Sequence, residues 1–125
     1  MYFGVSTVST RSNRKRLSEN RIGITSKSQV GGMEYYVTVN FFDDTADPCE
    51  VFIKIAKEGS TVSGLMDALA ITISIALQHG VEWSVLGQQY LGTIFSPRDD
   101  KASSLVDSVA KTIDDTVSLR KEILK

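Results

Sequence analysis

Chemistry-bearing side chains are scarce in this chain. It has one histidine, His79, and one cysteine, Cys49. Neither has a neighbour in sequence that would make a nucleophile–base pair, and two soft ligands do not make a zinc site. His79 precedes Gly80 and reads as a helix C-terminal cap. Cys49 follows Pro48 at a strand start and reads as a small packing residue. Asp43, Asp44 and Asp47 lack the glycine and glutamate spacing of a calcium loop and read as a solvated turn. The pattern predicts no catalytic set, no metal and no cofactor. Binding features are stronger. Phe95-Ser96-Pro97-Arg98 lies where an irregular segment is expected to turn into a helix, with Ser96 as N-cap and Pro97 in the first helical position. Free N–H groups of a first turn can hold an anion. Arg98 adds a permanently charged fork, and Phe95 offers a stacking face. Trp83, and less so Tyr90, are candidates for the same mouth. The bland alternatives are a capped helix with a surface arginine, and core packing for the two aromatics.

Charge adds a second candidate. The chain has 125 residues and a formal net charge of −1. That balance is segregated. Residues 1–27 carry six Lys/Arg against one acid, and residues 28–125 carry eight against fourteen. Arg14, Arg16 and Arg21 form a basic head that reads either as a solvated loop or as a second phosphate contact. The division expected is a basic strand or arm over 1–27 and one α+β domain over 28–125. The stretch around Leu65–Leu77 is interrupted by Asp67, Thr72 and Ser74, so no membrane span is expected. The chain is expected to be soluble and intracellular.

The elements that must position these residues follow from periodicity. Weak alternation over 22–30 leads to a Gly31-Gly32 turn. Residues 33–42 alternate cleanly, with Tyr35, Val37, Val39 and Phe41 on one face. Alternation resumes over 50–57 after a turn cluster at 43–48. These strands predict an antiparallel meander. Residues 61–78 follow helical spacing at Val62, Leu65, Met66, Leu69, Ile73 and Leu77. A second stripe, Gly64, Ala68, Ile71 and Ile75, makes that helix apolar nearly all round, so it needs cover on two sides. The expected second cover is another copy of the chain. A short helix over 81–91 and a long one over 97–124 complete an α+β fold, with the meander packed on two or three C-terminal helices.

The blocks Tyr36–Asn40 (YVTVN), Glu50–Ile55, Lys57–Ser60, Leu69–Gly80 and Leu91–Pro97 resemble the TSCPD domain, the small C-terminal domain of adenosylcobalamin-dependent ribonucleotide reductases. The likeness covers about residues 28–118. That family usually has a cysteine before the YVTVN-like strand and another before the later proline. Here Gln29–Met33 and Ser96 stand in those places, so a thiol or metal role does not carry over. A free-standing protein of this size with such a body resembles the Thoeris anti-defence 1 family of phage proteins. That resemblance implies a homodimer or higher oligomer that sequesters a cyclic ADP-ribose isomer, of the glycocyclic type, without cleaving it. It also implies a place in the cytoplasm of an infected bacterial host, and cyclic di- or trinucleotides as further ligands. The residues whose chemistry fits are Phe95, Ser96, Arg98, Trp83 and Asn40. Competing readings are an accessory domain of ribonucleotide reduction and a nucleic-acid binder using the basic head.

Overall fold

A computed structural model describes residues 13–56 and 59–125. The first twelve residues of the strand or arm expected over 1–27 lie outside them. Three strands, β1 (Gly23–Val30), β2 (Met33–Phe41) and β3 (Pro48–Ile55), precede three helices, α1 (Thr61–Gln78), α2 (Trp83–Tyr90) and α3 (Leu105–Ile123). The strands form one antiparallel sheet in the order β1-β2-β3. The fold is α+β, as the alternation followed by helical spacing predicts. β1 starts at Gly23, inside the segment expected to be an arm.

Val30 pairs with Met33 across a two-residue turn in which Gly31 and Gly32 both have positive φ, 54° and 82°. That is the geometry of the tight hairpin turn matching strand twist, and glycine adopts it without steric cost. Tyr35, Val37, Val39 and Phe41 are all buried on one face of β2, beside Val51, Ile53 and Ile55 of β3. Met66, Ala70, Ile73 and Leu77 of α1 and Leu105, Val109 and Ile113 of α3 close that core. Each fully buried aliphatic side chain contributes roughly 1.5–3 kcal/mol. The Tyr35 hydroxyl meets its polar need inside the core, 2.5 Å from Ser108 Oγ and 3.2 Å from Thr112 Oγ1.

α1 also covers the open edge of β3. Ser74 Oγ accepts the Val51 N–H at 2.9 Å and lies 3.2 Å from the Val51 carbonyl. Gln78 Nε2 donates to the Cys49 carbonyl at 3.0 Å. An uncovered edge invites pairing with another chain, and these two polar side chains satisfy it from a helix. With 18 residues, α1 is long and apolar enough by composition to cross a membrane. Of the polar residues that interrupt it, Ser74 is the one spent on the sheet. Ser74→Ala strands a backbone N–H, and the expected loss is about 1–2 kcal/mol. Urea unfolding measures it, and faster hydrogen exchange at the Val51 amide locates it.

α3 departs from expectation. It begins at Leu105, not Pro97, and its N-cap is Ser104, whose side chain accepts the Asp107 N–H. Ser96 therefore caps no helix, and Pro97, Arg98, Asp99 and Asp100 belong to a loop. The physical reason is a better set of partners for that loop. Phe95 N–H donates to the Ser103 carbonyl at 3.1 Å, and Asp99 N–H to the Ala102 carbonyl at 2.9 Å. Asp99 Oδ1 accepts the N–H groups of Lys101 and Ala102, while Oδ2 accepts that of Gly31. A helix starting at Pro97 would put the Asp99 carboxylate in its first turn, but here it ties the loop to the hairpin.

Candidate functional site

The residues singled out from sequence fall in three places. Ser96, Pro97 and Arg98 lie against the β1–β2 turn. A Cβ built on Gly31 would stand 3.0 Å from the Arg98 carbonyl and 3.1 Å from Pro97 Cβ, so glycine permits this close approach. Between that loop, the turn and the start of α1 lies a cleft of about 520 Å³. Met33, Ile55, Val62 and Pro97 give it apolar walls, with Glu34 and Ser60 as polar contributors. Ser60 is the true N-cap of α1, its side chain accepting the Ser63 N–H at 3.1 Å. The first-turn amides of Thr61 and Val62 have no carbonyl one turn earlier to bond. No acid occupies that first turn. The helix start expected at Ser96 is absent there, and the helix that begins across the cleft is α1.

Arg98 is exposed and makes no hydrogen bond or ion pair among the described residues. Its neighbour Asp99 is held below the usual carboxylate range, first by the Gly31 N–H and then by that of Lys101. At neutral pH it stays ionised, and the loop carrying Arg98 stays clamped. Phe95 is exposed on the same loop.

Asn40 lies at the other end of β2. Seven residues separate it from Met33, about 23 Å along a strand. Its Nδ2 donates to Glu50 Oε1 at 2.7 Å, and Arg21 Nε donates to the same oxygen at 2.7 Å. Asn40 thus holds an ion pair and does not share the cleft of Arg98 within one protomer. The basic head packs beside this pair. Arg14 Nε donates to Gln78 Oε1 at 2.6 Å, Lys15 N–H donates to the Gln78 carbonyl, and Lys15 Nζ sits over the Phe42 ring at 4.4 Å. Arg16 has no such partner among the described residues. Lys15, Arg16 and Arg21 line a cavity of about 260 Å³ that reaches Cys49. The Cys49 thiol is pushed up to about 11, first by burial and then by Glu50, so it is protonated at neutral pH.

Trp83 defines the third place. It is buried, and its indole N–H donates to Asp114 Oδ1 at 2.7 Å. Tyr90 packs against it with ring centroids 6.3 Å apart. The indole anchors α2 on α3 and reaches only the wall of a cleft of about 650 Å³ shared with Lys15 and Lys121. Among the described residues, no group of three or more His, Cys, Asp or Glu side chains is placed to hold a metal ion.

Sequence reasoning missed Asp99, Gly31 and Asp107. The last is nearly fully buried. Its Oδ1 accepts the Gly92 N–H at 2.8 Å, its Oδ2 accepts the Ser103 N–H at 2.9 Å, and Lys111 Nζ stands 3.0 Å away. Burial alone would raise its pKa, but the Gly92 and Ser103 amides and Lys111 prevail and lower it to about 2. The legible signal was Ser-x-x-Asp at 104–107, a variant of the capping box.

A meander whose edge is closed by a helix, with a loop clamped over its first hairpin, defines a small α+β module with a half-open apolar cleft. The family model of the TSCPD domain matches residues 10–117, and the chain belongs to that family. It is 39% identical over 107 residues to a vitamin B12-dependent ribonucleotide reductase of Streptomyces clavuligerus, covering 80% of this chain and 11% of that protein. The reductase of Streptantibioticus cattleyicolor is 39% identical over 113 residues, 85% of this chain and 19% of that protein. That of Rhodopirellula baltica is 38% identical over 105 residues, 78% and 10%. The chain thus spans between a tenth and a fifth of the length of these relatives. No solved structure matches it.

Proposed function

We propose that the chain is a non-catalytic binding module that sequesters a cyclic ADP-ribose isomer and so blunts TIR-based Thoeris defence in an infected bacterial cytoplasm. One observation carries this reading. Arg98, without a partner among the described residues, follows Pro97 on a loop that Asp99 ties to Gly31, and Pro97 lines an apolar cleft whose far wall is the start of α1. A nucleotide needs both halves of that arrangement. Apolar walls take the base, while a guanidinium fork and backbone amides take the pyrophosphate. A sponge must also present no nucleophile. The lone thiol is buried and protonated at neutral pH.

A second copy belongs in this proposal. Leu65 and Ile71 of α1 are about 60% exposed, and Ile75 is 39% exposed. Gly64 and Ala68 lie on the same side and allow close approach of a partner helix. Two subunits closing on one ligand slow its escape. Arg14, Arg16 and Arg21 stand as the contact for a second phosphate-bearing ligand, of the cyclic di- or trinucleotide type, with Arg16 the one of the three that has no partner among the described residues.

The relatives favour a second reading, an accessory module that docks on a ribonucleotide reductase. Native mass spectrometry of the purified chain with cyclic ADP-ribose isomers separates the two. The expected result is a dimer or higher oligomer carrying ligand, which returns the intact ligand on heating. Recovery of hydrolysed nucleotide makes the protein an enzyme. An adduct with a B12-dependent reductase and none with any cyclic isomer selects the second reading.

A further inference from the structure

The helices cover one face of the sheet and leave the other open. On that open face the strand register builds two rows across all three strands. The first is Lys27–Tyr36–Lys54 and the second is Thr25–Thr38–Phe52. Tyr36 is 42% exposed and Phe52 54% exposed. Neither ring makes a ring contact with any described residue. They stand on adjacent strands at diagonal positions, which places them roughly 7–8 Å apart. Thr25 and Thr38 bond each other through their hydroxyls at 2.8 Å, so the floor between the rings is polar and ordered. Lys27 pairs with Glu34 at 3.7 Å, with both side chains about half exposed, and Lys54 likewise has an interaction partner. The Glu50 carboxylate, further along the sheet, is already engaged by Arg21 and Asn40.

Exposed aromatics are usually withdrawn from an open sheet face, because they invite association. Two on neighbouring strands, with a lysine on each side of the central one, match a specific need. Single-stranded nucleic acid is bound by aromatic faces that stack successive bases and by cations that follow the backbone. A sheet backed by helices, with aromatics on adjacent strands, holds two or three bases in this way. We propose that the open sheet face is a platform for two to three nucleotides of single-stranded nucleic acid, with bases on Tyr36 and Phe52 and phosphates at Lys27 and Lys54. This site is separate from the Arg98 cleft and does not depend on it.

Fluorescence anisotropy of the full chain with a labelled octamer of uridylate tests the platform. Binding is expected at 50 mM salt. Two phosphate contacts predict a slope of roughly −1.4 in log affinity against log salt, so about a sevenfold loss at 200 mM. Tyr36→Ala and Phe52→Ala each weaken binding by about 5- to 100-fold. Tyr36→Phe, which keeps the stacking face, retains it. Both side chains are exposed, so circular dichroism of the alanine variants stays that of the parent, and the two conservative variants Tyr36→Phe and Phe52→Tyr guard against a folding artefact. No binding at 50 mM salt overturns the proposal. So does binding that survives both alanine variants but is lost in Arg16→Ala, which places the contact at the basic head. A dimer that Phe52→Ala converts to monomer in light scattering also overturns it, because a second copy then owns the face.

Discussion

Asp107→Ala is expected to destabilise the protein by about 3 kcal/mol, a fall of roughly 10 °C in Tm. The carboxylate holds the Gly92 and Ser103 amides and meets Lys111, all at a residue 1% exposed. Removing it takes a partner from the Gly92 and Ser103 amides and from Lys111 at the same time. The loop between α2 and α3 hangs on this group. Ser103 Oγ donates to the Thr93 carbonyl, and Thr93 Oγ1 lies 2.8 Å from Ser104 Oγ, so those contacts loosen with it. Acid produces a milder version of the same loss. The folded-state pKa is about 2 against an ordinary 3.8, a depressed carboxylate. Its contribution, about 2 kcal/mol by linkage, is therefore complete above the ordinary value and disappears as pH falls from about 4 to about 2. Urea midpoints measured between pH 7 and pH 2 follow this. The parent should lose stability across that window more steeply than Asp107→Asn, which has no carboxylate to protonate. Equal acid slopes in the two proteins contradict the assignment.

β2 was legible because one of its faces is buried. Tyr35, Val37, Val39 and Phe41 alternate with exposed or half-exposed partners, and a two-residue period survives only where burial enforces it. α1 was legible for the same reason, and His79 and Gly80 end it as their types predict. The start of α3 was not legible. Two serines satisfy local capping rules, Ser96 before a proline and Ser104 three residues before an acid. The choice between them is made by Asp99, whose partner Gly31 is 68 positions away in sequence. No window-based rule carries that information. The same contact relocates the candidate site. Arg98 was singled out by its chemistry, the helix start nearest its loop belongs to α1, and Asn40 and Trp83 are occupied in holding Glu50 and Asp114. Residue type marks what a side chain can do, and tertiary partners determine whether it is free to do it.

Arg98→Ala is expected to weaken capture of the cyclic nucleotide by about 10- to 100-fold while leaving the fold intact. That range is the worth of one hydrogen bond to a charged group, about 1.5–3 kcal/mol, with water replacing part of what the guanidinium fork supplied. Nothing within the described residues depends on this side chain, so unfolding of the variant should match the parent within about 0.5 kcal/mol. That separation is what makes the experiment informative, because a loss of capture cannot then be a loss of structure. Arg98→Lys keeps the charge but not the planar fork, and should recover part of the affinity. Asp99→Ala tests the clamp. It keeps the guanidinium and frees the loop that carries it, so affinity falls less than in Arg98→Ala and the loss is entropic. Isothermal titration calorimetry of the four proteins against one cyclic ADP-ribose isomer reads all of this. Capture unchanged in Arg98→Ala removes the cleft from the proposal, and the search for the pyrophosphate contact then moves to Arg16, the other partner-free arginine described here.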